Sequence, residues 1–215
     1  MQYGPKNLAI VTNEEDIILV HISTDYVFGG DKPTNESYKE EEEKNPVTAY
    51  GITKLEGEEA IKENCSKYYI FRTAWLYGEG NNFVRTMLKL GKEKEQISVV
   101  DDQHGSPTYA VDLASIIHQS IKKQIPYGIY HATNMGYTTW YEFTKAILKK
   151  AGVFCKVNPV STEQYIELMQ ITQAKRPKNS KLSKEKLLNT GIEIPDYIDA
   201  LERYLNVETN INKKM

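Results

Sequence analysis

The stretch 19-LVHISTDYVFGG-30, followed after an acidic loop by 45-NPVTAYGITK-54, decides how the chain is read. Residues 17–22 place five aliphatics and one His in a run short enough for a buried strand of a parallel sheet. Such a strand delivers Ser23, Thr24 and Asp25 to a loop at its carboxyl end, where ligands of open α/β sheets collect. Helix formers take over after Thr48, and Tyr50 and Lys54 stand four apart on one face. An ammonium beside a phenol favours the phenolate, so Tyr50 is expected to trade a proton well below the usual phenol pKa of about 10. A general acid working near neutral pH needs that property. Tyr and Lys at this spacing also lie side by side on many surface helices, and Thr24 is what weighs toward chemistry.

Outward from that stretch, composition narrows the class. A chain of 215 residues, 40% hydrophobic and 26% charged, can bury one good core, or a core and a smaller satellite. The net charge of −2, with acids and bases interspersed, offers no basic field for nucleic acid. No apolar run approaches the roughly 20 residues of a membrane span, and the opening MQYGPKN has no apolar signal region, so a cytoplasmic protein without a membrane partner is expected. Cys65 and Cys155 read as reduced thiols, and the dispersed His21, His104, His118 and His131 give no metal-ligand spacing, so no metal is expected. The acidic run at 40–43 reads as a solvated loop.

A short helix over 4–13 precedes the first strand, and 68-YYIFRTAWL-76 reads as the next parallel strand, with Arg72 among apolar and aromatic neighbours. Trp75, at its carboxyl end, is either a ligand-facing ring or core under a loop. Helical spacing begins at Phe83, with Gly91 as a stop, and 97–100 reads as a strand. The segment 101-DDQHGSPTY-109 is a turn-forming loop suited to close approach of a ligand. A helix over 112–123 and a strand over 129–132 follow, and Thr139 with Glu142, then Ser161 with Gln164, give capping-box starts. In 176-RPKNS-180 the Arg176 guanidinium suits a phosphate or a surface salt bridge equally. Residues 182–188 and 198–205 read as closing helices, and 206–215 as a fraying tail. No Gly-rich strand-to-helix turn occurs; Gly78 and Gly80 come nearest, without the third glycine.

Taken in order, HISTDYVFGG, YGITKLEGE, FRTAWLYG, DDQHGSPTY, DLA, YHATN and RPKNSKL resemble the extended short-chain dehydrogenase/reductase superfamily. Within it they resemble the dTDP-4-dehydrorhamnose reductase family, over about residues 4–205. The resemblance implies an α/β fold: the C-terminal part of a doubly wound, parallel-sheet Rossmann-like fold with a smaller interleaved α/β substrate domain. Residues 1–80 would be the remaining part of the Rossmann-like catalytic domain, 81–205 mainly the substrate-binding domain, and 206–215 a tail.

It further implies NADPH- or NADH-dependent reduction of the C4 ketone of dTDP-6-deoxy-L-lyxo-4-hexulose to dTDP-L-rhamnose. Thr24, Tyr50 and Lys54 would be catalytic, and Tyr50 and Lys54 would also meet the cofactor. Thr24, Asp25, Tyr26, Trp75, Gln103, Thr108 and Arg176 would meet the dTDP-sugar. In that family a dinucleotide-binding half with its Gly-rich turn precedes the helix at which this sequence starts, so the chain is expected to be a fragment or truncated form that binds nicotinamide weakly. The first strand would then lack a neighbour on one side, predicting self-association or pairing with the missing N-terminal half. A non-catalytic regulatory or sugar-nucleotide-binding relative, like the regulatory subunit of methionine adenosyltransferase, is the other reading.

Overall fold

Helix α1 (Tyr3–Glu14) leads through Asp16, whose φ of 56° turns the chain, into strand β1 (Leu19–Thr24). The computed structural model describes residues 3–170 and 175–212. β1 lies two residues later than the aliphatic run suggests. Ile17 and Ile18 are 54% and 37% exposed, whereas Ser23 and Thr24 are buried and still in the ladder. Only Asp25 leaves the strand, opening a single 3-10 turn, Asp25–Val27, in which Thr24 Oγ1 accepts the Tyr26 N–H at 3.2 Å.

Helix α2 (Ala49–Asn64) starts where Thr48 accepts the Gly51 N–H at 3.0 Å, a cap worth about 1 kcal/mol. The chain continues as β2 (Tyr68–Thr73), β3 (Leu76–Tyr77), α3 (Phe83–Glu93), β4 (Gln96–Val100), β5 (His104–Gly105) and β6 (Thr108–Tyr109). Helix α4 (Ala110–Lys122) returns it to the sheet as β7 (Gly128–His131). β8 (Thr138–Thr139), α5 (Trp140–Lys150), β9 (Lys156–Val160), α6 (Thr162–Met169), α7 (Glu185–Leu188) and α8 (Tyr197–Asn212) complete the described elements.

β1, β2 and β7 form a parallel sheet in the order β1-β2-β7, with Thr24 beside Thr73 at its carboxyl edge. Alternate side chains go to opposite faces. Tyr69 and Phe71 of β2 pack with Leu113 and Ile116 of α4, while Ile70 packs with Ala9 of α1 and Ile61 of α2. Helices on both faces of a parallel sheet are the doubly wound α/β layout. Among the described residues β1 pairs with β2 alone, so its other edge is open.

A second core joins Tyr77, Val84, Met87, Val99, Ile147 and Tyr204 around the parallel pair β4-β9. Pro159 is tolerated there because, among the described residues, β9 has only β4 as a neighbour.

Four local expectations need correcting. Gly91 does not stop α3, which runs on to Glu93, and it faces Leu148 and Val153 of the second core. Residues 182–188 are not one helix: Leu182 is fully buried and bridged to Tyr38, and only Glu185–Leu188 makes a helical turn. Within 206–215, α8 continues to Asn212, with Glu208 held by both Arg85 Nε and Nη2 at 2.7 Å; residues 213–215 lie outside the described ones. Glu40 is not solvated: it is buried, with Oε1 accepting the His131 N–H at 2.9 Å and its carbonyl accepting Arg72 Nη1 at 3.0 Å.

Candidate active site

The carboxyl end of β1 and the first turns of α2 meet face to face. Gly51 makes this approach possible, since a Cβ there would stand 2.1 Å from the Tyr26 carbonyl oxygen. Tyr50 is thereby set edge-on to Tyr26, with ring centroids 5.7 Å apart and planes at 78°. Its side chain stays 50% exposed, while one turn later Lys54 Nζ donates to the Ile22 carbonyl at 2.9 Å. Thr24 donates its hydroxyl proton to Asp25 Oδ1 at 3.0 Å. The structure therefore brings Thr24, Asp25, Tyr26, Tyr50 and Lys54 to one crevice.

Burial pushes the Asp25 carboxyl up to about 6, and hydroxyl hydrogen bonds from Ser180 and Thr24 only partly ease it back. Burial and the Asp25 carboxylate also hold the Tyr26 phenol above its ordinary value, against the nearby Arg176 charge. A half-exposed phenol, a held ammonium and a buried hydroxyl around a crevice can hand a proton to a developing oxyanion.

The other wall is aromatic. Trp75, at φ 49°, leaves the end of β2 and stacks on Trp140 with centroids 3.6 Å apart, and Trp140 in turn meets Phe83 at 4.3 Å. The Trp75 indole lies over Gly105, where a Cβ would meet it at 2.7 Å, so a side chain here would push the indole aside. A cavity of about 220 Å³ opens beside the stack, lined by Phe83, Met87, Gln103, Trp140, Tyr165 and Arg176.

Within 101–109, Gln103 and Thr108 both have hydrogen-bond partners elsewhere in the chain. Gln103 is buried and committed at both ends, its Oε1 to Trp140 Nε1 at 3.2 Å and its Nε2 to Thr162 Oγ1 at 2.9 Å. It borders the cavity with one amide N–H and one carbonyl lone pair beyond these two bonds. Thr108 is fully enclosed and donates to the Ala74 carbonyl at 2.7 Å, so its hydroxyl holds the loop rather than facing the crevice.

The segment around Asn179 closes the site from outside. His104 N–H donates to Lys178 and Ser180 N–H to His104, zipping this segment to β5. On its other side Asn179 Nδ2 donates to the carbonyls of Lys32, Pro33 and Glu36. Arg176 is left exposed at the cavity mouth.

Sequence reasoning missed Phe83, Tyr165 and Ser180, whose positions depend on distant chain contacts. It also missed Glu58, which is buried one turn beyond Lys54 and could have been found by extending the Tyr50, Lys54 spacing once more. Among the described residues no group of three His, Cys, Asp or Glu side chains is placed to hold a metal, and no helix is long and apolar enough to cross a membrane.

Comparison with known proteins places this geometry among relatives. The family model described as RmlD substrate binding domain matches residues 2–210. The dTDP-4-dehydrorhamnose reductase of Escherichia coli K12 is 40% identical over 213 residues, covering 93% of this chain and 68% of the relative. A dTDP-4-dehydrorhamnose reductase from Clostridium acetobutylicum superposes with a TM-score of 0.89 at 44% identity, over 96% of this chain and 71% of that one. One from Bacillus anthracis, solved in complex with NADP, gives 0.86 at 44% identity, over 94% and 70%.

Proposed function

The chain belongs to the RmlD substrate binding domain family, with the dTDP-4-dehydrorhamnose reductases, and on that premise we propose that it reduces the C4 ketone of dTDP-6-deoxy-L-lyxo-4-hexulose to dTDP-L-rhamnose. The observation that carries this reading is the meeting of Thr24, Tyr50 and Lys54 at the carboxyl end of β1.

A reduced nicotinamide, NADPH or NADH, supplies the hydride when bound. Tyr50 and Lys54 fit the nicotinamide-ribose end of such a group, since both head groups reach the crevice. A cradle for its pyrophosphate is not found among the described residues: no strand enters a helix N-terminus through a Gly-rich turn.

Tyr50 gives its phenolic proton to the C4 oxygen. Lys54 holds a positive charge one helical turn from that phenol. Thr24, turned from Asp25 toward the substrate, donates to the same oxygen, which requires Asp25 to accept less or to carry a proton itself. Asp25, Tyr26 and Trp75 orient the sugar. Arg176 pairs the diphosphate at the cavity mouth, and the faces of Trp140 and Phe83 take the base.

The test is turnover of synthetic dTDP-4-keto-6-deoxy sugar with NADPH and NADH, with dTDP-L-rhamnose identified by NMR. Calorimetry with dTDP runs alongside. Saturable dTDP binding without turnover would favour the non-catalytic sugar-nucleotide-binding reading.

A further inference from the structure

Helix α2 carries both crevice-facing groups, yet among its 16 residues the buried ones are Gly51, Gly57, Glu58 and Ile61. A single buried aliphatic gives little to resist sliding or rotation on the sheet, because apolar packing is non-directional. Glu58 supplies the direction. Its carboxylate is completely buried and is gripped by Arg72 of β2, with Nε at 2.9 Å and 3.2 Å from the two oxygens and Nη2 at 2.6 Å from Oε2. Ser23 of β1 donates its hydroxyl to Oε1. Arg72 is itself fixed, with Nη1 on the Glu40 carbonyl at 3.0 Å and its guanidinium 5.2 Å from the centre of the Phe28 ring.

Tyr50, Lys54 and Glu58 follow one another at four-residue steps, so all three project from one side of the helix. Glu58 stands roughly 12 Å along the axis from Tyr50, too far to touch what Tyr50 touches. We propose that Glu58, held by Arg72 and Ser23, is a positioning residue that sets the rotation and depth of α2 and thereby places Lys54 and Tyr50 at the end of β1. A buried ion pair is a weak source of net stability compared with apolar side chains of the same volume. As a directional pin it does what Ile61 cannot. A helix rotation of about 10° moves a phenol oxygen standing roughly 9 Å from the axis by about 1.5 Å, and misplacement of about 1 Å is enough to cost on the order of a hundredfold in rate.

The inference extends the reductase reading, and its test includes a measurement that needs no turnover. Glu58→Gln and Ser23→Ala are treated with an amine-acetylating ester, and the labelling rate of Lys54 is divided by that of Lys62, an exposed lysine on the same helix. Release of Lys54 from the Ile22 carbonyl raises this ratio threefold or more in Glu58→Gln and in the same direction, less, in Ser23→Ala. Where the wild type turns over, kcat falls at least tenfold in Glu58→Gln while KM for the sugar nucleotide stays within twofold. An unchanged labelling ratio in folded Glu58→Gln, or in Ser23→Ala if the first variant does not fold, overturns the proposal and leaves an ion pair that only stabilises. A wild type that labels as expected but never turns over would sink the reductase reading and not this one.

Discussion

The two walls of the crevice are built by opposite means. Thr24, Tyr50 and Lys54 ride on one strand and one helix, pinned by directional hydrogen bonds to neighbours on the sheet. Trp75, Gln103, Trp140 and Arg176 come from four separate segments, the first three held by ring stacking and side-chain amide bonds. On the proposed reading the first set would transfer a proton, a step that tolerates little misplacement, and the second would meet the nucleotide. The difference predicts that damage to the first wall appears in turnover and damage to the second in affinity.

The strongest way to break that contrast is Tyr50→Phe in an active preparation. It removes the proton donor and keeps the ring against Tyr26, so kcat should fall at least about a hundredfold with the melting temperature unchanged. Wild-type turnover would mean that a different group is the acid.

Next is Asp25, whose carboxyl is raised to about 6 by burial. In the window between about pH 4 and about pH 6 the folded chain binds this proton and the unfolded chain does not. Stability is therefore greatest below that window and falls as pH rises through it, by an amount on the order of 3 kcal/mol. Asp25→Asn has no such proton, so chemical denaturation of the two proteins at about pH 4 and about pH 7 should show the wild type alone carrying this loss. Parallel profiles would mean that Asp25 is ionised without penalty.

Trp140→Leu probes the second wall. It removes the ring stacked on Trp75, and affinity for dTDP should drop about tenfold while kcat at saturation changes less than about threefold. A collapse of kcat at unchanged affinity would erase the distinction between the walls.

The smallest effect sharpens the picture within the sheet. β1 has one strand neighbour and β2 has two, so amides of Leu19–Thr24 should exchange with deuterium faster than those of Ile70 to Thr73 by about tenfold. Equal protection would show that something else covers the β1 edge.

How much of this was legible follows the range of the contacts. The Thr48 cap, the Tyr50 and Lys54 spacing and the pairing of the first two strands are local or carried by strong apolar runs, and these were readable. The bounds of β1 were misread by two residues because the ladder from Leu19 beside Tyr68 to Thr24 beside Thr73, and not hydropathy, decides where the strand runs. Glu40 hid in an acidic run because its partner, the His131 amide, is 91 residues away. Leu182 was grouped with Leu187 and Leu188 in one closing helix yet belongs to the cluster of Val27, Phe28 and Tyr38, which no local pattern announces. The partners of Gln103 and Thr108, Thr162 and the Ala74 carbonyl, are 59 and 34 residues away and could not be read locally.

The Asn179 amide has a consequence in time. Its three acceptors lie at Lys32, Pro33 and Glu36, with 146 residues separating Asn179 from Pro33. At roughly 5–20 residues per second of synthesis, the loop beside Asp25 waits about 7 to 30 seconds on the ribosome for the side chain that fastens it. Throughout that interval β1 and α2 can already be docked while residues 32–36 lack the three bonds from Asn179. The latch of the crevice therefore arrives long after the strand and helix that it closes over, and ahead only of α7 and α8.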